Sequence, residues 1–448
     1  MKQLQMKSIV AILMIVFISN ANAQVARSFS LMEAKEYALK NHTKITNAAL
    51  EYDKAVNKKK EYLAAGMPEA NITGAFNQFL NLPVQVLPIS FFNPGAPEDE
   101  VIAFRAGTEF NSNASLQVNQ LLFDGSYFVG IEAAKLLIQL QNIQKTRTNE
   151  EVLFAVIDAY HIACVAQENS GFADSIYQIT ASIEAKQKSY LELGLITKEE
   201  LDQMTYAVLT AKNTFENAEL QSNNAIALLK YSMGFPQDSA LILSNTLNEL
   251  DQIASQISLG SIEDNSVLPL LQTQIELSEC DVRNNKAGYL PSFSAYFQQS
   301  YNAYRTSFDF FDDKPWYSQT NWGLQMKIPL FAGGRGRAVV KQSEIRLMQD
   351  ANNFELTKQG LRLQEVQLKN TLASAINKRA LQKENIALAE RIYRNAIKKE
   401  AIGNGNNVMV TQKLNQVMMA QAEYTASLIE VYRSKIELDK LYNKLNLN

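Results

Sequence analysis

Apolar residues recur along this chain in two different rhythms. Leu414, Val417, Tyr424, Leu428, Val431, Leu438, Tyr442 and Leu445, with Gln421 and Lys435 between them, step by three and four. That is the spacing of a helix that packs a seam against another helix. Phe172, Ile176, Ile179, Ile183, Tyr190 and Leu193 repeat the habit earlier in the chain. Four shorter segments alternate instead at period two, apolar on one side and polar on the other, and so predict strands. Trp322, Leu324, Met326, Ile328 and Leu330 alternate with Asn321, Gly323, Gln325 and Lys327, and Phe293, Ala295 and Phe297 with Ser292, Ser294, Tyr296 and Gln298. Leu116, Val118 and Leu122 alternate with Ser115, Gln117 and Asn119, and Ile72, Gly74 and Phe76 with Asn71, Thr73, Ala75 and Asn77. Proline breaks helices, and the tracts between Pro97 and Pro236 and after Pro329 contain none, which permits very long helices there.

The chain reads as a duplication. Leu121-Leu122-Phe123-Asp124-Gly125 returns as Pro329-Leu330-Phe331-Ala332-Gly333 at an offset of 208, and Gly194, Leu201, Ala211 and Phe215 return as Gly403, Val410, Ala420 and Tyr424 at 209. Upstream, Met67-Pro68 matches Leu290-Pro291 at 223, with Thr43 and Ser266 as equivalent candidate N-caps. The fall in offset leaves extra residues between the two strands of the first copy, among them Pro83, Pro88, Pro94 and Pro97, and predicts an exposed loop. Each copy predicts helix, strand, loop, strand, long helix, turn, helix. Residues 24–235 then form a first repeat, 262–448 a second, and 236–261 an equatorial segment between them.

Lys2 and Lys7 precede an apolar run from Ile9 to Ile18 and then Ala21-Asn22-Ala23, the layout of a secretory signal peptide over residues 1–23. The run is too short to span a bilayer. Gln24 follows the cut, so no cysteine is there for lipid attachment and the chain does not read as a lipoprotein. No later segment supplies a helical span, so an exported chain of this kind meets a membrane through its strands or not at all. About ten alternating residues is the length a tilted strand needs to cross a bilayer. Leu116, Val118, Phe293, Phe297, Trp322, Leu324 and Met326 are then lipid-facing, Gln117, Asn119, Gln325 and Lys327 lumen-facing, and Tyr301, Trp316, Tyr317 and Trp322 interfacial. For any one strand alone, an ordinary half-buried soluble sheet fits as well; export is what favours the membrane.

Four strands cannot close a lipid-facing barrel, because open edges are not tolerated in hydrocarbon, so subunits must pool them. The helix from Tyr127 to Leu193 would run roughly 100 Å, enough to cross much of a periplasm. The turns Gly194-Leu195-Ile196-Thr197 and Gly403-Asn404-Gly405-Asn406 interrupt the two heptad tracts at the same place and predict the tips of helical hairpins. Leu195 and Ile196 have no evident core to enter, which makes the tip a candidate docking surface.

These residues also carry a family resemblance. Phe29-Ser30-Leu31-Met32-Glu33-Ala34 with Ala38-Leu39-Lys40-Asn41 opens the chain, Met67-Pro68 and Tyr289-Leu290-Pro291-Ser292 start strands, and Leu121 to Gly125 and Pro329 to Gly334 turn strand into helix. With the helix turn Leu193 to Thr197, they make the whole mature sequence resemble the TolC family of outer-membrane efflux and secretion ducts. The resemblance implies a mostly α protein with a membrane β-barrel part: a homotrimer pooling four strands per chain into a twelve-stranded barrel, continuous with a helical tunnel in the periplasm. It also implies outer-membrane lipid, a periplasmic adaptor (membrane fusion) protein and an inner-membrane pump of RND or ABC type as partners. The tip Ala401 to Asn407 departs from the family pattern, since no apolar residue follows Gly403. Met409 and Gln412 stand where some members place an acidic constriction ring.

Catalytic chemistry is thin. His42 and His161 are the only histidines, neither with Cys or carboxylate companions at metal-ligand spacing, and His161 reads as a packed helix residue. Gly333-Gly334-Arg335-Gly336-Arg337 lacks the Lys-Ser/Thr ending of a phosphate loop and reads as a strand-to-helix corner. Met409, Met418 and Met419 read as core filling, and Glu98, Asp99, Glu100, Asp312, Asp313 and Lys58-Lys59-Lys60 as solvated charge. Cys164 and Cys280 are two buried small residues rather than a disulfide framework. The formal charge of -3 gives no reason to expect nucleic acid. No cofactor, metal or enzyme activity is expected. The expected function is a passive exit duct in the outer membrane of a Gram-negative bacterium, passing small toxic molecules. A duct for ABC-driven type I protein secretion is the alternative of the same architecture, and an exported structural coiled coil or adhesin the alternative of another class.

Overall fold

In the computed structural model, two helix pairs and a small sheet account for most of the chain. The structure describes residues 27–445 apart from 93, 96, 98, 248, 251–259, 403 and 406, so the expected export signal over 1–23 lies outside the described residues. Helices α1 (Leu31–Asn41), α2 (Thr43–Ala64), α3 (Gly125–Glu192), α4 (Lys198–Met233), α5 (Val267–Ala287), α6 (Arg335–Ala401) and α7 (Asn407–Leu441) carry the bulk. The strands are β1 (Arg27–Phe29), β2 (Glu69–Gln78), β3 (Val84–Pro88), β4 (Val101–Arg105), β5 (Phe110–Phe123), β6 (Leu241–Leu243), β7 (Ser292–Arg305) and β8 (Tyr317–Lys327). The expected fold class, mostly helix in long hairpins with four amphipathic strands, is the one adopted. The chain divides into two compact units that each draw on both halves of the sequence. A helical unit holds Met1–Tyr52, Gln141–Leu271 and Asn353–Asn448, and a sheet unit holds Asp53–Leu140 and Gln272–Asn352.

In the helical unit the seam read from α7 is a true core stripe: Leu414, Val417, Leu428, Val431, Lys435 and Leu438 are buried, and so are Tyr442 and Leu445 beyond the helix end. The α3 seam needs correcting. Ile179 and Leu193 are exposed, and Thr180 and Gln187 are buried in their place. A repeat of 3.5 residues from Ile176 and Ile183 falls on positions 180 and 187, whatever their polarity. Thr180 tolerates this by donating its hydroxyl to the Ile176 carbonyl at 2.7 Å.

Caps follow the duplication but lie one residue earlier than expected. His42 Nδ1 accepts from the Lys44 amide at 3.1 Å and Asn265 Oδ1 from the Val267 amide at 3.0 Å. Thr43 is already helical, and Ser266 donates to Glu150 Oε2 at 2.7 Å instead. Strands β1 and β6 pair in parallel, an element the sequence pattern does not announce. They seat Phe29 against Tyr37 and Phe235, each ring centroid 5.5 Å from the next. The buried Tyr160 hydroxyl donates to the Phe29 carbonyl at 2.9 Å, and burial pushes its pKa up to about 12.

The sheet unit is built on one antiparallel sheet in the order β2-β5-β7-β8. A bulge between Leu121 and Phe123 shifts the ladder, so Leu122 is the inserted residue and belongs to neither face as a paired position. The proline-rich insertion is not structureless: β3 and β4 pair as an exposed antiparallel ribbon from Val84 opposite Arg105 to Pro88 opposite Val101. Below the sheet, Arg283 grips Glu132 with two hydrogen bonds, of 2.8 and 2.7 Å. The β8-to-α6 corner turns on Gly333 and Gly334, with φ of 58° and 81°, a conformation that suits glycine and supports the corner reading. Among the described residues, no helix is long and apolar enough to cross a membrane.

Candidate functional site: a two-faced sheet and two hairpin tips

Cross-strand partners share a face, so the register sorts every strand residue. Ala70, Val118, Phe297 and Trp322 lie side by side across the four strands, and Ile72, Leu116, Gln299 and Thr320 make the next row. Gln120, Ala295 and Leu324 form another, and Phe123, Phe293 and Met326 the last. All seven residues assigned to lipid therefore occupy one face. Trp322 is 75% exposed, Leu324 71% and Ile72 82%, so this apolar face is uncovered in the single chain.

The opposite face holds Gln117 with Gln298 and Asn321, Asn119 with Tyr296 and Gly323, Gln325 with Ser294, and Lys327 with Ser292. Its side chains satisfy one another: Thr73 and Ser115 hydroxyls meet at 2.8 Å, and Asn113 Nδ2 donates to Asn302 Oδ1 at 2.7 Å. Gln117 Nε2 donates to Asn119 Oδ1 at 3.1 Å.

The far end of the sheet is capped by rings. Phe76 lies 5.5 to 6.2 Å from Phe110, Phe308 and Phe310, Phe308 lies 6.0 Å from Phe110 and 5.6 Å from Phe310, and Trp316 is 6.5 Å from Phe310. Trp316 and Tyr317 belong to this end, whereas Trp322 sits mid-strand and is a face residue, not a belt residue. Period-two counting finds the face of an aromatic but not its height; the loop phenylalanines carry no period and escape it. Arg305, 5% exposed, locks the β7–β8 loop by pairing with Asp309 at 3.3 Å and donating to the carbonyls of Lys314 and Pro315. The Lys314 ammonium also meets Asp309, and hydrogen bonding to it holds that carboxyl below the usual range.

In the helical unit the first tip is a helix stop followed at once by a helix start. Gly194, at φ 70°, donates to the Leu191 carbonyl at 2.9 Å and Leu195 to the Tyr190 carbonyl at 2.9 Å, the two bonds of a Schellman turn. Thr197 then caps α4 through a reciprocal pair with Glu200. Leu195 is exposed and Ile196 half-buried. At the second tip Asn404 donates to the Lys399 carbonyl at 2.9 Å, the same bond at an offset of 209, and Gly405 is half-buried beside Glu400. Gly403 and Asn406 lie outside the described residues. Sequence pattern misses Leu193 and Ile402, 71% and 72% exposed, which flank the two turns at equivalent positions. Leu193 falls in a heptad whose last step lies beyond the helix.

A groove of about 600 Å³ runs between the first turns of α4 and α7, lined by Glu199, Asp202, Gln203, Tyr206, Thr411 and Gln412. The carboxylates near Gln412 thus come from α4, and Asp202 is paired with Lys198 at 2.8 Å. Met409 is exposed. His161 is buried, its Nδ1 2.7 Å from the Ile157 carbonyl and its ring 4.6 Å from Tyr432; burial lowers its pKa. Cys164 and Cys280 are free and buried. Among the described residues, no three His, Cys, Asp or Glu converge as a metal site.

Residues 266–444 match the outer membrane efflux protein family model. Outer membrane protein TolC of Salmonella enteritidis is 22% identical over 372 residues, which are 79% of this chain and 69% of that protein. Among solved structures, CusC aligns with a TM-score of 0.71 at 16% identity, over 93% of this chain and 92% of that one. VceC of Vibrio cholerae aligns with a TM-score of 0.68 at 12% identity, over 92% and 95%. With the two-faced sheet and paired hairpins, these matches show that the chain has the fold of the outer-membrane channels CusC and VceC and that its second half, over residues 266–444, is similar to the outer membrane efflux proteins.

Proposed function

We propose that the protein is the outer-membrane exit duct of a tripartite export system that passes small toxic molecules out of the cell. Three copies pool their sheets into a twelve-stranded barrel, with Leu116, Val118, Phe293, Phe297, Trp322, Leu324 and Met326 toward lipid. Gln117, Asn119, Gln325 and Lys327 face the aqueous lumen. The observation that carries this reading is one sheet with an uncovered apolar face, a self-satisfied polar face and two open edges, β2 and β8. Such edges leave backbone groups unpaired, which hydrocarbon does not tolerate. Another copy is the partner of matching length. The tips at Gly194 to Thr197 and Gly403 to Asn406, flanked by exposed Leu193 and Ile402, receive a periplasmic adaptor that links the duct to an inner-membrane pump.

The test is drug susceptibility read beside outer-membrane trimer level. Removing the protein should sensitise cells to several unrelated toxic compounds, and the wild-type chain should restore resistance. Leu195→Asp with Ile196→Asp should fail to restore it while trimer level stays normal. Full resistance from that double variant would remove the docking role. Unchanged susceptibility with loss of a secreted protein from the medium would favour ABC-driven secretion instead.

A further inference from the structure

The four long strands carry three charged residues in all, Glu69, Arg305 and Lys327. Arg305 is ion-paired and hydrogen-bonded within its own loop. The other two are the first residue of one open edge, β2, and the last residue of the other, β8. Both stand at the same end of the sheet and on its polar face, because Glu69 pairs with Asn119 and Lys327 with Ser292. Both are exposed. The Glu69 carboxylate accepts from Asn71 at 3.0 Å, and neither residue meets an opposite charge among the described residues.

We propose that Lys327 pairs with Glu69 of the next copy and that this ion pair sets the register in which β8 of one protomer joins β2 of its neighbour. The inference rests on the barrel reading above. Putting residue 327 opposite residue 69 overlaps the two edge strands along their whole lengths. Next to the charged pair the partnerships are chemically matched. On the apolar face Leu324 meets Ile72 and Met326 meets Ala70; on the polar face Gln325 meets Asn71. Trp322, the most exposed ring on its strand, falls on Gly74, and a large ring over a cross-strand glycine covers backbone that glycine leaves bare. The sheet already uses this device once inside the chain, where Tyr296 lies over Gly323 so closely that a Cβ there would come within 2.8 Å of its hydroxyl.

The register also closes geometrically. A path perpendicular to the strands runs from Ala70 through Val118, Phe297 and Trp322, and in the proposed seam it arrives at Gly74 of the next copy. Three copies accumulate a stagger of about twelve residues over twelve strands, which tilts them by about 35°, within the range of such barrels. A one-residue slip would turn the apolar set into the lumen, so only shifts of two compete, and each of those separates the charges.

The experiment is disulfide trapping in the full chain. Directly opposed antiparallel residues lie within disulfide reach and diagonal ones do not. Asn71→Cys with Gln325→Cys should give covalent trimers on a non-reducing denaturing gel. Thr73→Cys with Gln325→Cys and Thr73→Cys with Asn321→Cys, which report shifts of two in either direction and leave both charges in place, should give at least several-fold less. Native Cys164 and Cys280 are buried and contribute little background. Separately, Lys327→Glu or Glu69→Lys alone should lower trimer yield about two- to fivefold, as an exposed pair allows, and the two together should restore it. Equal or stronger trapping at an offset pair, or no rescue by the swap, overturns the register. If the wild-type chain is a monomer in detergent, the barrel reading fails before this one is reached.

Discussion

The helical unit and the sheet unit use apolar residues in opposite ways. Along α7 the residues that step by three and four are buried within the single chain, with Val417 and Val431 at 0% exposure. Along β8 the residues that alternate at period two are the most exposed large side chains of their strand. Both are regular apolar stripes, so the stripe alone does not say whether a face meets protein or something else. The difference lies in the partner. A seam of heptads meets a second helix of the same chain, whereas the apolar sheet face meets nothing within it and requires lipid, or another copy, to be covered.

Substitutions should separate these two kinds of face. The largest effect is expected in the helical core: Leu428→Ala should cost about 2 to 5 kcal/mol by leaving a cavity where neighbours cannot collapse, read by thermal or denaturant unfolding. Next comes the sheet, where Leu324→Arg or Leu116→Arg should cost about 2 to 4 kcal/mol near a bilayer midplane and lower assembly, while Gln325→Arg and Gln117→Arg, one residue away, should be tolerated. Equal damage from both members of each pair, measured as trimer yield in membranes, would erase the contrast between the faces.

A smaller effect follows from pH. His161 is held neutral by burial and its folded pKa is lowered, so below the unfolded value of roughly 6.5 the unfolded chain takes up the proton first. Stability of the helical unit should therefore be complete above that pH and fall beneath it by up to about 1.4 kcal/mol per pH unit. His161→Gln should flatten that part of the profile, and an unchanged slope would contradict the assignment. The smallest effect is expected at Arg283. Its bonds to Glu132 are good, but both side chains are half exposed, so Arg283→Ala should cost less than about 1 kcal/mol and lose that cost in high salt.

Legibility in the sequence follows the same division. Long runs with one rhythm are readable: the long helix α3, the buried seam of α7, the four strands of the sheet and, Leu122 apart, the sharing of faces by their residues follow from period. What escapes reading has little or no period. Strands β1 and β6 are three residues each and pair across more than two hundred positions. The β3–β4 ribbon hides between prolines, which occupy its ends without preventing pairing. The caps sit one residue from their expected places because His42 is an uncommon cap and its ring nitrogen does what Asn265 does with an amide oxygen. Leu193 and Ile402 escape for the converse reason: an apolar residue at the end of a heptad tract looks like core until the turn beyond it is built. The groove that brings Glu199 and Asp202 toward Gln412 joins segments about two hundred residues apart, and no local pattern in either one announces it.

A barrel forms only if the two open edges of the sheet find other copies. Light scattering of the full protein purified in mild detergent, corrected for bound detergent, measures this directly. A protein mass of three chains is the predicted result; a monodisperse mass of one chain, with the sheet still folded, would contradict it.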